Sequence, residues 1–322
     1  MKKISVVIPM YYEEEVAQEC YNRTSVVLRK LEKKYKYEII FVNDGSKDKT
    51  LEILVDIAKK DKSVKVISLS RNFGHQAAVT AGLKYTSGDA VVIMDADMQD
   101  PPEVIEEMIK LWEDGNEVIY AKRKARKGET AFKLFTAKMF YKVLNGLSDV
   151  EIPKDTGDFR LADKKVIDVI NSLPEHNKFL RGLFSWVGFK QVPLEYERNE
   201  RFAGKTKYPL KKMLKLASDG ITSFSTKPLK MLGIIGMISV LISVLILIYA
   251  LVSYIFNLNQ LAAGWTSLMV TITFLSGIQL LSIWLISEYI GKIYDESKGR
   301  PEYIVDKKIN IEWGKDEKRK SK

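Results

Sequence analysis

A run of apolar, largely β-branched residues that breaks off into three acids, Ala90-Val91-Val92-Ile93-Met94-Asp95-Ala96-Asp97-Met98-Gln99-Asp100-Pro101-Pro102, limits what this chain can become. An apolar run of that length bounded by turn residues reads as a strand buried on both faces. Such strands belong to mostly parallel sheets with helices on both sides. The acids then fall at the carboxyl end of the strand, where open α/β sheets hold their ligands. Asp95 and Asp97 stand one residue apart where the chain leaves the pleat, so both are able to face one ion. Carboxylate oxygens suit Mg²⁺ or Mn²⁺, and Gln99 adds a neutral oxygen. Taken alone, a D-x-D pair is also what a turn or a helix cap uses. Its weight comes from the rest of the chain.

Around that strand the pattern alternates. Strands are expected over Ile4–Met10, Tyr37–Val42, Val64–Leu69 and Val118–Ala121, and helices over residues 13–34, 48–60, 75–85 and 101–112. Strands and helices that alternate at short spacing make βαβ units and a mostly parallel sheet. No G-x-G-x-x-G follows the first strand, which argues against a dinucleotide-binding domain. Asp44, in the turn cluster Asn43-Asp44-Gly45-Ser46, and the Asp95/Asp97 pair remain as the polar groups at strand ends. Further on, Asp155-Thr156-Gly157-Asp158-Phe159-Arg160-Leu161 reads as a polar site loop. A helix follows from a cap near Asp163, then a second over Phe179–Trp186 and a strand over Val192–Glu197.

Charge and hydropathy divide the chain unevenly. Residues 132–147 form an amphipathic basic pattern, suited to packing on the domain or to lying in a membrane interface. Arg198 to Tyr208 is a basic loop, and Pro209–Ser225 a further amphipathic helix. The segments from Met231 to Phe256 and from Trp265 to Ile290 are each long enough to cross a bilayer. Tyr254, Trp265, Tyr289 and Tyr294 sit near their ends as interfacial anchors. The loop Asn257-Leu258-Asn259-Gln260 carries no Lys or Arg while both outer flanks are rich in them, which places both flanks in the cytoplasm. The amino-terminal Met1-Lys2-Lys3 and its apolar run are cut short by Pro9 and Glu13-Glu14-Glu15, so they are read as a first strand rather than a secretory signal. Cys20 is the sole cysteine, which excludes an internal disulfide and a Cys-built metal site. A net charge of +10 without a nucleic-acid-binding motif points to an anionic membrane surface and no nucleic acid partner.

Taken together, Val7-Ile8-Pro9-Met10-Tyr11-Tyr12-Glu13-Glu14, Val42-Asn43-Asp44-Gly45-Ser46, Arg71-Asn72-Phe73-Gly74, Asp95 to Pro102, Gly157-Asp158-Phe159-Arg160 and the Gly204–Tyr208 loop resemble the family-2 glycosyltransferases of GT-A fold. Within them the chain is similar to polyprenyl-phosphate glycosyltransferases related to dolichyl-phosphate mannose synthase and the bacterial membrane-anchored undecaprenyl-phosphate glucosyltransferases. The resemblance implies that Pro9, Tyr11, Glu13 and Asp44 cradle the nucleoside, with Arg123 near the phosphates, and that Asp95, Asp97 and Gln99 hold Mg²⁺ or Mn²⁺. An asparagine usually stands where this chain has Tyr12. Asp97 and Asp158 are the expected catalytic pair, and Arg126, Lys133, Arg201, Lys205 and Lys207 the expected grip on the acceptor phosphate.

The resulting expectation is an inverting, metal-dependent enzyme at the plasma membrane. It moves glucose or N-acetylglucosamine from a UDP-sugar to undecaprenyl phosphate for a cell-surface glycan. The boundaries expected are a catalytic domain over residues 1–207, a juxtamembrane helix over 208–228, two transmembrane helices over 229–292 and a basic cytoplasmic tail over 293–322. By resemblance it assembles as a homo-oligomer, a tetramer. Two rivals are a processive polysaccharide synthase, for which the Q-x-x-R-W motif is missing before Trp186, and a non-catalytic nucleotide-sugar-binding membrane scaffold, against which the intact acids argue.

Overall fold

The computed structural model describes residues 1–124, 153, 156–176, 178–197, 225–256 and 264–311. Two compact units emerge: Met1–Asn145, Val150–Lys215 and Pro301–Lys322 form the first, Gly146–Asp149 and Leu216–Arg300 the second.

In the first unit, β1 (Lys2–Met10), β2 (Tyr35–Asn43), β3 (Val64–Leu69) and β4 (Ala90–Ile93) alternate with α1 (Ala17–Lys30), α2 (Thr50–Lys60) and α3 (His75–Lys84). Next come α4 (Val104–Glu113), β5 (Val118–Arg123), β6 (Thr156–Asp163), α5 (Lys164–Ser172), α6 (Leu180–Trp186) and β7 (Gln191–Tyr196). The last strand, β8 (Val305–Ile309), lies far along the chain. The strands form one sheet in the order β7-β5-β6-β4-β1-β2-β3-β8. β1 pairs parallel with β2 and β4, β2 with β3, and β5 with β7, whereas β6 runs antiparallel to β4 and β5, and β8 to β3. The sheet is therefore mixed and mostly parallel, as the apolar strand pattern requires.

β1 is buried along nearly its whole length because it has neighbours on both edges and helices on both faces. Ile4, Val6, Val7 and Ile8 have no exposed surface. Opposite the ligand-facing edge, Glu38 ties four segments together. Its carboxylate accepts from Lys3 Nζ at 2.5 Å, Lys65 Nζ at 2.7 Å, Ser5 Oγ at 2.6 Å and the Ser87 backbone N–H at 2.8 Å. Burial alone would raise its pKa, but these donors outweigh it and bring it down to about 2.

Two sequence expectations need correction. Thr156 to Leu161 is not a loop but part of β6, with Phe159 and Leu161 in the core and Asp158 and Arg160 on the other face. The polar residues mask a strict alternation, and all of Thr156–Ala162 is buried. The expected basic tail over residues 293–322 also contains a sheet strand. Val305, Lys308 and Ile309 are half-buried while Asp306 and Lys307 are exposed, a charged edge of the kind that discourages further strand addition. The expected cap at Asp163 is present, its side chain accepting from Lys165 N–H at 3.0 Å.

In the second unit, α7 (Lys227–Ile255) and α8 (Trp265–Ser297) carry apolar side chains outward. Met237, Leu241, Phe274 and Leu280 are each more than 60% exposed. Among the described residues one helical segment, Phe274–Ser297, is long and apolar enough to cross a bilayer. The basic helix expected over 132–147, the loop from Arg198, the helix expected over Pro209–Ser225 up to Phe224 and the link Asn257–Gln260 lie outside the described residues.

Candidate active site

The carboxyl ends of β1, β2, β3 and β4 lie side by side on one edge of the sheet. Over the first three of them opens a cavity of about 560 Å³, lined by residues that include Tyr11, Asn43, Gly45, Ser46, Ser68 and Arg71. Gly45 is demanded there. Its φ is +66°, and an added Cβ would lie 2.3 Å from the Arg71 carbonyl carbon and 2.6 Å from Asn72 N, so the two loops pass each other backbone to backbone.

Asp44 works from beneath this crossing. One oxygen accepts from Phe73 N–H at 2.7 Å, the other from Gly74 N–H and Asn72 Nδ2, both at 2.9 Å. Burial raises its pKa, partly offset by the Phe73 and Gly74 donors. The carboxylate thus fixes the Arg71–Gly74 loop over the cavity. Tyr11 lines the cavity, edge-on to Tyr12 with ring centroids 4.6 Å apart. Tyr12 itself adopts φ 54°, and its N–H donates to Ser46 Oγ at 3.1 Å. Among non-glycine residues Asn is one of the most at ease in that left-handed conformation; here Tyr12 makes the turn. Pro9 is buried within β1, and Glu13 anchors α2 through its N–H to Thr50 Oγ1 at 2.9 Å; neither lines the cavity.

One strand over, β4 delivers Asp95 and Asp97, both half-buried. The turn is tight: Met98 is left-handed at φ 57°, and Gln99 N–H donates to Asp97 Oδ1 at 3.1 Å. Asp100, in contrast, is fully buried and accepts from the Tyr196 hydroxyl. That hydroxyl also receives Arg123 Nε at 3.4 Å, which holds Arg123 at the end of β5 beside Gly157.

β6 brings Asp158 to the same place. Arg181 on α6 grips it with two hydrogen bonds, Nε to Oδ1 at 2.7 Å and a terminal nitrogen to Oδ2 at 3.1 Å. His75 Nε2 lies 3.0 Å from Asp158 Oδ2 and 3.7 Å from Asp95 Oδ1. Burial pushes Asp158 upward, but Arg181 and His75 outweigh it and hold the carboxyl well below the ordinary range. His75 is pulled down by burial and more strongly up by Asp158 and Asp95, to about 9. Asp95 is pushed up to about 6 by burial and by the charges of Asp158, Asp100 and Asp97, against the pull of His75. Beneath them Arg160 is buried, donating to the Asp158 and Gly157 carbonyls and stacking 4.5 Å from the Phe184 ring centre.

His75 and Arg181 are site residues that sequence reasoning did not assign. One signal was available: His75 is one of only two histidines and opens α3 directly after Gly74. Arg181 carries none, since it sits in an apolar helix and only the fold brings it to Asp158. Of the expected acceptor residues, Arg126, Lys133, Arg201, Lys205 and Lys207 all lie outside the described residues.

Among the described residues no group of three or more His, Cys, Asp and Glu side chains forms a metal cage. Mg²⁺ or Mn²⁺ takes one or two protein carboxylates and completes its shell with water and substrate phosphates. Burial first, and then the neighbouring carboxylates, lift Asp95, and a dication beside it would favour its charged form against both, so the donor set fits.

A family model, glycosyl transferase family 2, matches residues 5–170 of this chain. The chain belongs to glycosyltransferase family 2. Within this family it is 54% identical over 308 residues to uncharacterized glycosyltransferase YkcC of Bacillus subtilis, covering 96% of this chain and 94% of that one. It is 47% identical to uncharacterized glycosyltransferase sll0501 of Synechocystis, covering 97% of each chain. It is 44% identical to bactoprenol glucosyl transferase of Shigella phage SfV, over 94% of this chain and 98% of that one. As a family-2 member it is a glycosyltransferase.

Proposed function

We propose that this glycosyltransferase moves one hexosyl unit from a UDP-sugar, UDP-glucose or UDP-N-acetylglucosamine, to a polyprenyl phosphate at a membrane. The observation that carries the reading is the pairing, in one chain, of a ligand edge suited to a nucleotide sugar with helices whose apolar side chains face outward. The near full-length identity to a protein named bactoprenol glucosyl transferase supports the lipid acceptor.

The distances suit the donor. β4 stands two strands from β2, about 10 Å, which matches the reach from a nucleoside in the cavity to a diphosphate at Asp95 and Asp97. Asp95 and Asp97, with Gln99, would hold a divalent ion, which when bound would supply positive charge for the departing diphosphate. An oxygen of the lipid phosphate attacks the anomeric carbon from the opposite side, the bond from that carbon to the diphosphate oxygen breaks, and the nucleoside diphosphate leaves. A single displacement inverts the anomeric configuration. The attacking phosphate needs little help to lose its proton, because its second pKa lies near 6. Asp158, gripped by Arg181, therefore serves to orient the donor sugar and His75, and Arg123 stands ready for a phosphate. The basic residues Arg126, Lys133, Arg201, Lys205 and Lys207 grip the acceptor, and the segments over 229–292 form a two-helix membrane anchor with both flanks cytoplasmic.

The test is nucleoside-diphosphate release from UDP-glucose, UDP-N-acetylglucosamine, UDP-galactose and GDP-mannose, with and without undecaprenyl phosphate. One UDP-sugar is expected to react, and only when the lipid is present. Release that ignores the lipid would remove the acceptor assignment.

A further inference from the structure

The cavity over β1, β2 and β3 is bounded in part by a residue from the far end of the sequence. β8 pairs with the outer edge of β3, and its register slips between Ser68/Lys307 and Leu69/Val305, which leaves Asp306 opposite no residue of β3. Beyond the slip the ladder resumes, with Ser70 N–H donating to the Ile304 carbonyl at 3.0 Å. A bulge of this kind bends its strand and re-aims the extra side chain. Asp306 is exposed and lines the cavity together with Tyr11, Asn43, Lys47 and Arg71. At about 560 Å³ the space has the size of a small-molecule site.

A carboxylate here would repel a ligand's phosphates, and those belong at the other end. β8 is the strand farthest from β4 on this side of the sheet, so Asp306 faces the part of a bound nucleotide most distant from Asp95 and Asp97: the base. Ionised, it only accepts hydrogen bonds. Uracil and guanine carry an imino N–H on the ring, whereas cytosine and adenine present a bare nitrogen at the corresponding position. Asp44, the other acid near the cavity, is buried, accepts from Asn72, Phe73 and Gly74 and is not among the residues that line the space.

We propose that Asp306 is a specificity-determining residue that reads the donor's base by accepting a hydrogen bond from an imino N–H. The inference rests on the nucleotide-sugar reading above. Its test is equilibrium binding of UDP, GDP, CDP and ADP, with Mg²⁺, to the full-length protein in detergent. The wild type is expected to bind UDP or GDP at least tenfold more tightly than CDP and ADP. Asp306→Asn, whose amide also donates, should weaken the favoured nucleotide about tenfold and shrink its advantage over CDP to less than threefold. Asp306→Ser should weaken the favoured nucleotide without improving CDP. Thermal unfolding of both variants should match the wild type, since Asp306 is exposed. A wild type that binds none of the four would defeat the nucleotide reading itself. Binding without base preference, variants within twofold of wild type, or equal weakening of all four nucleotides would overturn the role of Asp306 alone.

Discussion

Asp97 and Asp158 sit at one site and are expected to answer mutation differently. Asp97 follows β4, two residues from Asp95, and on the proposed metal-holding role Asp97→Ala should lower kcat by at least about a thousandfold, the several kcal/mol that metal charge contributes. EDTA should do the same to the wild type, as read by UDP release. Asp158 is different because Arg181 and His75 already occupy its oxygens. A group so stabilised as an anion is a poor proton acceptor, and the lipid phosphate is mostly ionised above about pH 6. Measured as kcat against pH with saturating substrates, Asp158→Asn should therefore be slower but keep the same acidic limb near pH 6. An acidic limb that disappears in the variant would make Asp158 the base. At this level the sequence was partly legible. Acids at a strand end announce themselves by type and place, whereas the Arg181 grip on Asp158 depends on packing of α6 against β6, which no local spacing encodes.

Among the elements, the ligand edge and the opposite edge of the sheet do separate work. Glu38 lies on the opposite edge, so its loss should lower stability without changing donor KM. Glu38→Gln leaves the Lys3 and Lys65 ammoniums without their anion, and a cost of roughly 3 kcal/mol is expected in chemical unfolding. The pH dependence has a definite sign. Its folded pKa is depressed to about 2 from an ordinary 4.5, so its stabilisation is complete above about pH 4.5 and is lost as pH falls from there through about 2. The variant should lose most of that acid sensitivity. On the ligand edge, Gly45→Ala would drive a methyl into the Arg71 backbone. The donor's KM should rise about tenfold or more with little change in kcat, because the loops that bound the cavity are pushed apart. Strands β1 to β4 were readable because each is dominated by apolar, largely β-branched residues, with only scattered polar ones such as Ser5, Glu38 and Lys65. β6 was not, since its polar residues are buried by pairing and by Arg181 rather than by their own hydrophobicity. β8 was hidden for a related reason: five residues with three charges are an edge strand only when a neighbouring strand is already there.

For the molecule as a whole, the two apolar helices are what the proposed lipid acceptor would ask of a glycosyltransferase. α7 and α8 present to their surroundings side chains that water would reject, including Met237, Leu241, Leu280 and Trp284. The proposed hairpin places Asn259 on the far side of the membrane, so a tag there should be reached only from outside intact cells, and tags at either terminus only from the cytoplasm. A tag at Asn259 reached only from inside would overturn the hairpin. The measurement that bears most directly on the function is the mass of the lipid after reaction. Undecaprenyl phosphate incubated with the full-length protein, Mg²⁺ and the reactive UDP-sugar should gain a single hexosyl residue, with one UDP released per lipid and no product from Asp97→Ala. A lipid of unchanged mass while UDP accumulates, or a ladder of added sugars, would contradict transfer of one sugar to a polyprenyl phosphate.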